Sequence, residues 1–528
     1  MVRGYAHRWR GLVARVRRNP THIRLGAIAI DTRALAIFRI GAGLLILADL
    51  LLRSRNFWFF YTESGVVPQS MAETMTADNA FSVFFYTTDS SVIAALFVVQ
   101  ALVALLLIVG YRTRLVTIAA FLLVVSLDHH NPLVLSYADT LFRLLLFWAI
   151  FLPLGERWSI DAVHRDRAPR VSVANLATAA ILSQIVYMYL VNGYHKRESA
   201  LWTGGEATPL IMGLDNTTFL LGEFTRNFPT LLQYGGLMWY LMLLASPLLI
   251  LLRGNARLLF VLFFMGGHAS FALTVRIGAF AYVALTGLVL FVQTPVWDRL
   301  ATLGTPLWSR LERPDIALAQ FGSRVPYPTL LAGRLERTRW TILTIAVAIA
   351  MISLLVLPAI ALAPFGGFVD DEDGPLERVD DRASIINVDQ PDWSVFAPHP
   401  RTVDRYYVFP AETESGERVD VYQDRELTFD RPGQELQRQF STYRERFYMN
   451  SVRRGGPNEI VPETYAEHLC ENWENEHGEG LAYVNIYYVV EQVTLETLDE
   501  PEERPSDIEP IYYHSCDGGE PKTILPSD

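Results

Sequence analysis

Nine runs of 16–23 mostly apolar residues punctuate the first 361 positions, at 34–54, 91–110, 115–130, 137–154, 172–194, 235–252, 257–275, 277–294 and 340–361. A bilayer core takes about 20 such residues per helix, so the pattern predicts a polytopic membrane bundle of about nine transmembrane helices. The opening segment, MVRGYAHRWRGLVARVRRNP, is basic and followed by polar residues, unlike a cleavable signal. Residues 1–30 therefore read as a cytoplasmic basic arm, 31–300 as the main transmembrane domain, and 301–364 as a cytoplasmic linker with the last helix. Beyond 365 the pattern changes to period two: RYYVFPA (405–411), RVDVYQ (418–423) and LAYVNIYYVVEQVTL (481–495) read as strands. Acidic clusters and PEERPSDIEP (501–510) read as solvated loops. The expected fold is an all-α polytopic bundle followed by a β-rich or α+β domain over 365–528.

Charge gives this order a direction. Residues 1–364 carry 31 Lys+Arg against 19 Asp+Glu, whereas 365–528 carry 14 against 37. The basic residues of the body sit in YRTR (111–114), GERWSIDAVHRDRAPR (155–170), RGNAR (253–257) and 295–339, while FYTESGVVPQ (60–69) and DHHNP (128–132) have none. Positive loops stay in the cytoplasm, so nine spans place the N-terminus inside and the acidic domain outside. Positive charge confined to short loops between apolar runs is a membrane pattern and excludes nucleic acid as the expected partner. The two cysteines, Cys470 and Cys516, both lie in the acidic domain, and in an exported domain they read as one disulfide.

Ionisable groups at membrane depth are costly and mark candidate sites. Asp139 and Arg143 stand four apart on one helix and could pair. Arg39 and Asp49 read as structural. By the loop charges, Asp139, His195, Lys196 and His268 all approach the outer leaflet, the last about seven residues inside its helix. Lys196 is one of only two lysines among 45 basic residues. An amine can give up its proton on burial and act as a base, which a guanidinium cannot; the plainer reading is a lysine at a helix end reaching toward polar surroundings. Trp202 follows six residues later. His268 comes after two glycines that allow close helix approach, and equally reads as an interhelical hydrogen-bonding group. Adjacent histidines in DHHNP point apart on a helix, and no ligand spacing completes a metal site, so no metal is expected.

Several ordered segments carry a family likeness. NGYHKRESALW (192–202) resembles the region around the active lysine of vitamin K-dependent γ-glutamyl carboxylases, and HASFALTVRIGAFAYVAL (268–285) resembles their helix pair bearing a histidine. FLPLGERWSIDA (151–162) and DTRALAIFRIGAGLLILADLLLRSRN (31–56) resemble the wider horizontally transferred transmembrane (HTTM) family; DWSVFAPHP (392–400) is similar to a segment after the last span in prokaryotic members. The resemblance implies a lysine amine that takes a proton from a reduced naphthoquinone (menaquinol or vitamin K hydroquinone) at the outer face, with O2 converting it to an epoxide. In the true carboxylases this drives removal of a glutamate γ-proton and addition of CO2. Lys196 and His268 match the expected catalytic pair, with Asp139, Arg143, His195 and Trp202 as pocket residues. Asp139 stands near a second carboxylase histidine without matching it, and His195 replaces a lysine, which favours quinol epoxidation over carboxylation. The implied partners are membrane lipid and quinone, with an exported peptide or protein as a further substrate. The contrasting expectation is a non-enzymatic scaffold that binds a lipid or peptide, in toxin maturation or immunity.

Overall fold

The computed structural model describes residues 26–308, 320, 322–327, 336–362 and 375–525. Most of the basic arm, much of the linker and the start of the acidic domain expected from the sequence lie outside the described residues. The body is built on α1 (Thr32–Ser54), α2 (Ser90–Val109), α3 (Thr113–His130), α4 (Tyr137–Ala149), α5 (Leu176–Lys196), α6 (Pro229–Leu244), α7 (Gly254–Thr274), α8 (Phe280–Leu288), α9 (Thr294–Trp308) and α10 (Glu336–Met351). Helix α10 continues through a π turn, Ile352–Val356, into Leu357–Ala361, and α11 is Pro375–Ser384. Pro358 has no N–H to return to Leu354, which frees that turn to widen.

Every apolar run contains helix, but nine spans are not confirmed. Among the described residues six helices are long and apolar enough to cross a membrane: Thr32–Ser54, Ser90–Val109, Thr113–His130, Leu176–Lys196, Gly254–Thr274 and Thr341–Ala361. The segments Phe280–Phe291 and Thr294–Leu303 form a seventh only if their 101° bend counts as one broken span. Helix α4 has 13 residues and α6 has 16, short of a bilayer by length alone. Helix α4 is a wall of the core, with Leu141, Leu144, Leu145 and Trp148 interior, whereas α6 buries only Gly236, Tyr240, Met242 and Leu243 and leaves Leu231, Tyr234, Met238 and Leu241 exposed. Between α5 and α6 the chain forms short helices at Ala200–Gly204, Ala207–Met212 and Leu221–Arg226.

Local sequence starts these helices. Asp31 accepts from the Arg33 N–H ahead of α1. Ser136 with Asp139, and Asn175 with Thr178, form reciprocal capping boxes ahead of α4 and α5. At the end of the bundle away from the acidic domain, Arg39 is fully buried and donates to the carbonyls of Ile108, Leu154 and Arg157. It is a structural staple for the 154–158 turn, as its place in the sequence suggested.

The acidic domain is an antiparallel half-barrel with helices on one face. Its strands are β1 (Val403–Val408), β2 (Pro410–Thr413), β3 (Arg418–Asp420), β4 (Arg425–Glu426), β5 (Leu481–Gln492) and β6 (Ser506–Ser515), in the order β1-β5-β2-β3-β4 with β6 on the free side of β5. Alternate residues Tyr407, Phe409, Ile486 and Tyr488 join the main core, beside Tyr448 and Met449 of α12 (Tyr443–Arg454) and Tyr465 of α13 (Ile460–His477). The second half of 501–510 is strand rather than loop, because Ser506–Pro510 completes the ladder to β5. The acidic run 459–479 is mostly helix, its glutamates lying on the exposed side of α13. Cys470 and Cys516 are disulfide-bonded, joining α13 to the end of β6.

Candidate functional site

The acidic domain seats on one end of the bundle, and two structures fasten it there. The first is a strap, residues 387–396, laid across α4 and α5. Lys196, at the last turn of α5 and 2% exposed, donates from Nζ to the carbonyls of Val395 (2.7 Å) and Phe396 (3.0 Å). One turn earlier, Asn192 donates to Trp393 O and Val395 O. Trp202 packs its ring 3.7 Å from Nζ and donates from Nε1 to Phe396 O. No carboxylate stands within 4 Å of the amine among the described residues. Tyr137 stacks on Trp393 and hydrogen-bonds Ser394, and Gln184 meets Gln390, so the strap is held along its length.

His268 lies deeper. Its Nε2 is 2.6 Å from the Tyr189 hydroxyl, and its Nδ1 has no partner. Tyr189 precedes Lys196 by seven residues, two helical turns, so the two share one side of α5 roughly 10 Å apart along the axis. Trp239, Phe271 and Phe280 ring the imidazole. The close approach depends on glycine. A Cβ on Gly267 would meet the Trp239 ring at 2.5 Å, and one on Gly193 would meet α6 backbone at about 3 Å. Gly266, by contrast, faces open space.

The second fastening is ionic and corrects the expected Asp139–Arg143 pair. These residues turn away from each other. Arg143 pairs with Asp128 (2.6 Å) and donates to Asn387 O of the strap. Asp139 caps α4 and receives Arg444 of the acidic domain at 2.9 Å. Arg53 pairs with Asp128 (2.6 Å) and Asp49 (2.8 Å), and Arg444 also binds Asp49. Three aspartates and three arginines thus close on themselves. Burial and the like charge of Arg53 oppose the Arg444 cation, but Asp139 and Asp49 outweigh them and hold its proton more tightly than usual.

Lys196, Trp202 and His268 are therefore arranged along one wall, whereas Asp139 and Arg143 belong to the ionic network and reach the lysine only through the strap. His195 is half-buried beside Tyr194 and touches none of the lysine's partners. Tyr189, Asn192 and the strap carbonyls were missed by the sequence reading. Tyr189 and Asn192 could have been found seven and four residues before Lys196 on its own helix face, and the strap acceptors fall in DWSVFAPHP (392–400), which the sequence marked by likeness without linking it to the lysine. An apolar groove of about 490 Å³, lined by Tyr234, Leu237, Met238, Leu241, Met242 and Phe260, runs along α6 and α7 beside the aromatic ring around His268.

No curated protein and no solved structure matches the chain. The family model of the HTTM domain matches residues 28–297, from just before α1 into α9, a span that holds Lys196, Trp202 and His268 but not the strap. With half of its length and every buried residue of the lysine wall inside that match, the chain belongs to the HTTM-domain family, a multi-pass membrane protein with a β-rich C-terminal domain.

Proposed function

We propose that this protein is a membrane-embedded, quinone-dependent oxygenase in which Lys196 is the base toward a reduced naphthoquinone, with menaquinol as the native form. The observation that carries the reading is a buried amine with no carboxylate beside it. As a free amine, Lys196 would match its two N–H bonds to the two strap carbonyls and keep its lone pair for a proton. Bound at the wall, the quinol would be the reductant and O2 the oxidant. The groove along α6 and α7 is apolar and of a size for a lipid-soluble ring to enter from the bilayer. Tyr189 and His268, with the free Nδ1, lie behind Trp239 and Phe264 rather than in the groove wall, and would hydrogen-bond a ring oxygen that entered past those rings. With an odd number of crossings, the positive-inside pattern of the loops would turn the end bearing Lys196, together with the acidic domain, to the extracytoplasmic side. Asp139 is engaged with Ser136 and Arg444, which supports quinol epoxidation rather than glutamate carboxylation.

One observation favours a second reading. Both hydrogen bonds of Lys196 go to the strap, so the amine could serve only as a clamp in a non-enzymatic scaffold that binds a lipid or peptide. Protein in detergent, given reduced menaquinone and O2, separates the two readings. Epoxide from wild type and none from Lys196→Ala or Lys196→Arg supports the base. A folded wild type that makes no epoxide, or a Lys196→Arg variant that makes it at the wild-type rate, moves the reading to the scaffold.

A further inference from the structure

A second group of arginines lies at the seam between the acidic domain and the body, and it lacks the closure of the ionic network. Arg276 follows α7 by two residues, Arg401 and Arg405 flank the start of β1, and Arg446 and Arg453 lie seven apart on α12. Among the described residues none of the five is in an ion pair, although Arg53, Arg143, Arg226, Arg431, Arg444 and Arg504 all are. Their contacts are with carbonyls and rings. Arg276 donates to Gln437 O (2.7 Å), Arg401 to Val403 O (2.8 Å) and Arg446 to the carbonyl of Arg276 (3.4 Å). Arg405 and Arg453 flank the Tyr488 ring at 5.9 and 5.8 Å, each with a buried Nε that has no partner. The charges of four of the five, all but Arg276, bear on the Tyr407 phenol, whose hydroxyl donates to Met449 O.

The carboxylates that face this group are few and occupied. Asp404 is bound to Arg504, Glu445 accepts from Ser441 and Tyr422, and Glu509 accepts from Tyr488. Burial, then the neighbouring charges of Arg446 and Arg405, push Arg401 down to about 9. Burial followed by repulsion from a neighbouring arginine lowers Arg276 and Arg405 as well. The cluster is also not sealed, since all five side chains are half-buried. A domain with 37 acidic residues and 14 basic ones has thus gathered four of its arginines, with one from the body, where its own acids do not neutralise them.

We propose that Arg276, Arg401, Arg405 and Arg446 form a binding site for a multiply charged oxyanion of the phosphate class. Planar guanidinium forks fit the oxygens of phosphate in pairs. A single carboxylate would leave most of the cluster's charge uncompensated. Arg276 lies just past the end of a candidate span, at the height of lipid headgroups, so the phosphate could come from a phospholipid or from solution. This site is separate from the lysine wall and does not depend on the oxygenase reading.

The test uses the full chain in neutral detergent, titrated with inorganic pyrophosphate at constant ionic strength. Wild type and Arg438→Gln, an exposed arginine outside the cluster, should bind saturably, with affinity lost about tenfold or more in Arg401→Gln and Arg446→Gln. Because the cluster repels itself, the unliganded variants should unfold at or above the wild-type temperature. Competition by phosphatidylcholine vesicles containing phosphatidic acid, but not by phosphatidylcholine alone, would identify a lipid source; no competition would identify a soluble one. Absence of saturable binding, equal binding by the variants, or a lower unfolding temperature in both variants would each overturn the proposal. The last would show that the guanidinium groups are already satisfied within the protein.

Discussion

The two fastenings of the acidic domain differ in one respect that separates architecture from chemistry. In the ionic network Asp49, Asp128 and Asp139 meet Arg53, Arg143 and Arg444, and each charge has an opposite charge within hydrogen-bonding reach. Such a set is costly to desolvate and costlier to break, and it fixes one docking geometry. At the strap a single amine is held by two carbonyls and a tryptophan ring, with no counter-charge. A purely mechanical clamp could have used arginine, which this chain places almost everywhere else. The proposed proton chemistry at Lys196 rests on this contrast, as registration rests on the network.

The sharpest way to break the comparison is at Asp128. Both of its partners are almost wholly buried, so Asp128→Ala strands Arg143, leaves Arg53 on Asp49, and should cost about 3–5 kcal/mol of stability, read from the unfolding transition in detergent. If Asp128→Ala unfolds with the wild type, the network is not what fixes the seam. Loss of the Cys470–Cys516 bridge, which spans 46 residues, comes next. Cys470→Ser with Cys516→Ser should cost roughly 2–4 kcal/mol, confined to the half-barrel, because the bridge limits the unfolded loop. Hydrogen exchange showing equal loss of protection in α5 would contradict that confinement.

Lys196→Arg sharpens the difference from the other side. It should leave the unfolding midpoint within about 1–2 kcal/mol, since a guanidinium can still donate to the strap carbonyls, while abolishing epoxide formation. The smallest effect is that of pH on His468. Burial lowers its pKa, and its Nε2 lies 2.8 Å from the Asn472 amide, which suits a neutral ring. The folded state therefore holds its proton less tightly than the unfolded state. Its contribution is full above the unfolded value near 6.5 and is lost as pH falls through the lower folded value, by under about 1 kcal/mol. A half-barrel midpoint that rises between pH 7.5 and 5.5 in wild type, relative to His468→Gln, would reverse the sign (roughly the His titration range).

Much of this organisation is legible residue by residue. Period and capping place the helices to within a few residues, as at Asn175–Thr178 before α5. The switch to alternation marks the half-barrel, and compartment logic pairs Cys470 with Cys516. The misreadings share a cause: each concerned a choice among partners. Asp139 and Arg143 have the spacing of an intrahelical pair, worth only about 0.2–0.5 kcal/mol. That is too little to hold them once Arg444 and Asp128 are brought close. Helix α4 looked long enough to span because hydropathy does not tell lipid-facing from core-facing leucines.

The sequence alone determined where the chain is apolar, where it alternates, which charges lie in loops, and that one lysine survives in an arginine-rich protein. These are properties of short windows, set by helical and strand periods and by transfer into lipid. Tertiary structure decided which groups meet. Lys196 and the strap carbonyl of Val395 are 199 residues apart, and Asp139 and Arg444 are 305 apart. No local energy term couples positions so distant; they meet only because the half-barrel packs on one end of the bundle, and that packing selects each buried charge's partner.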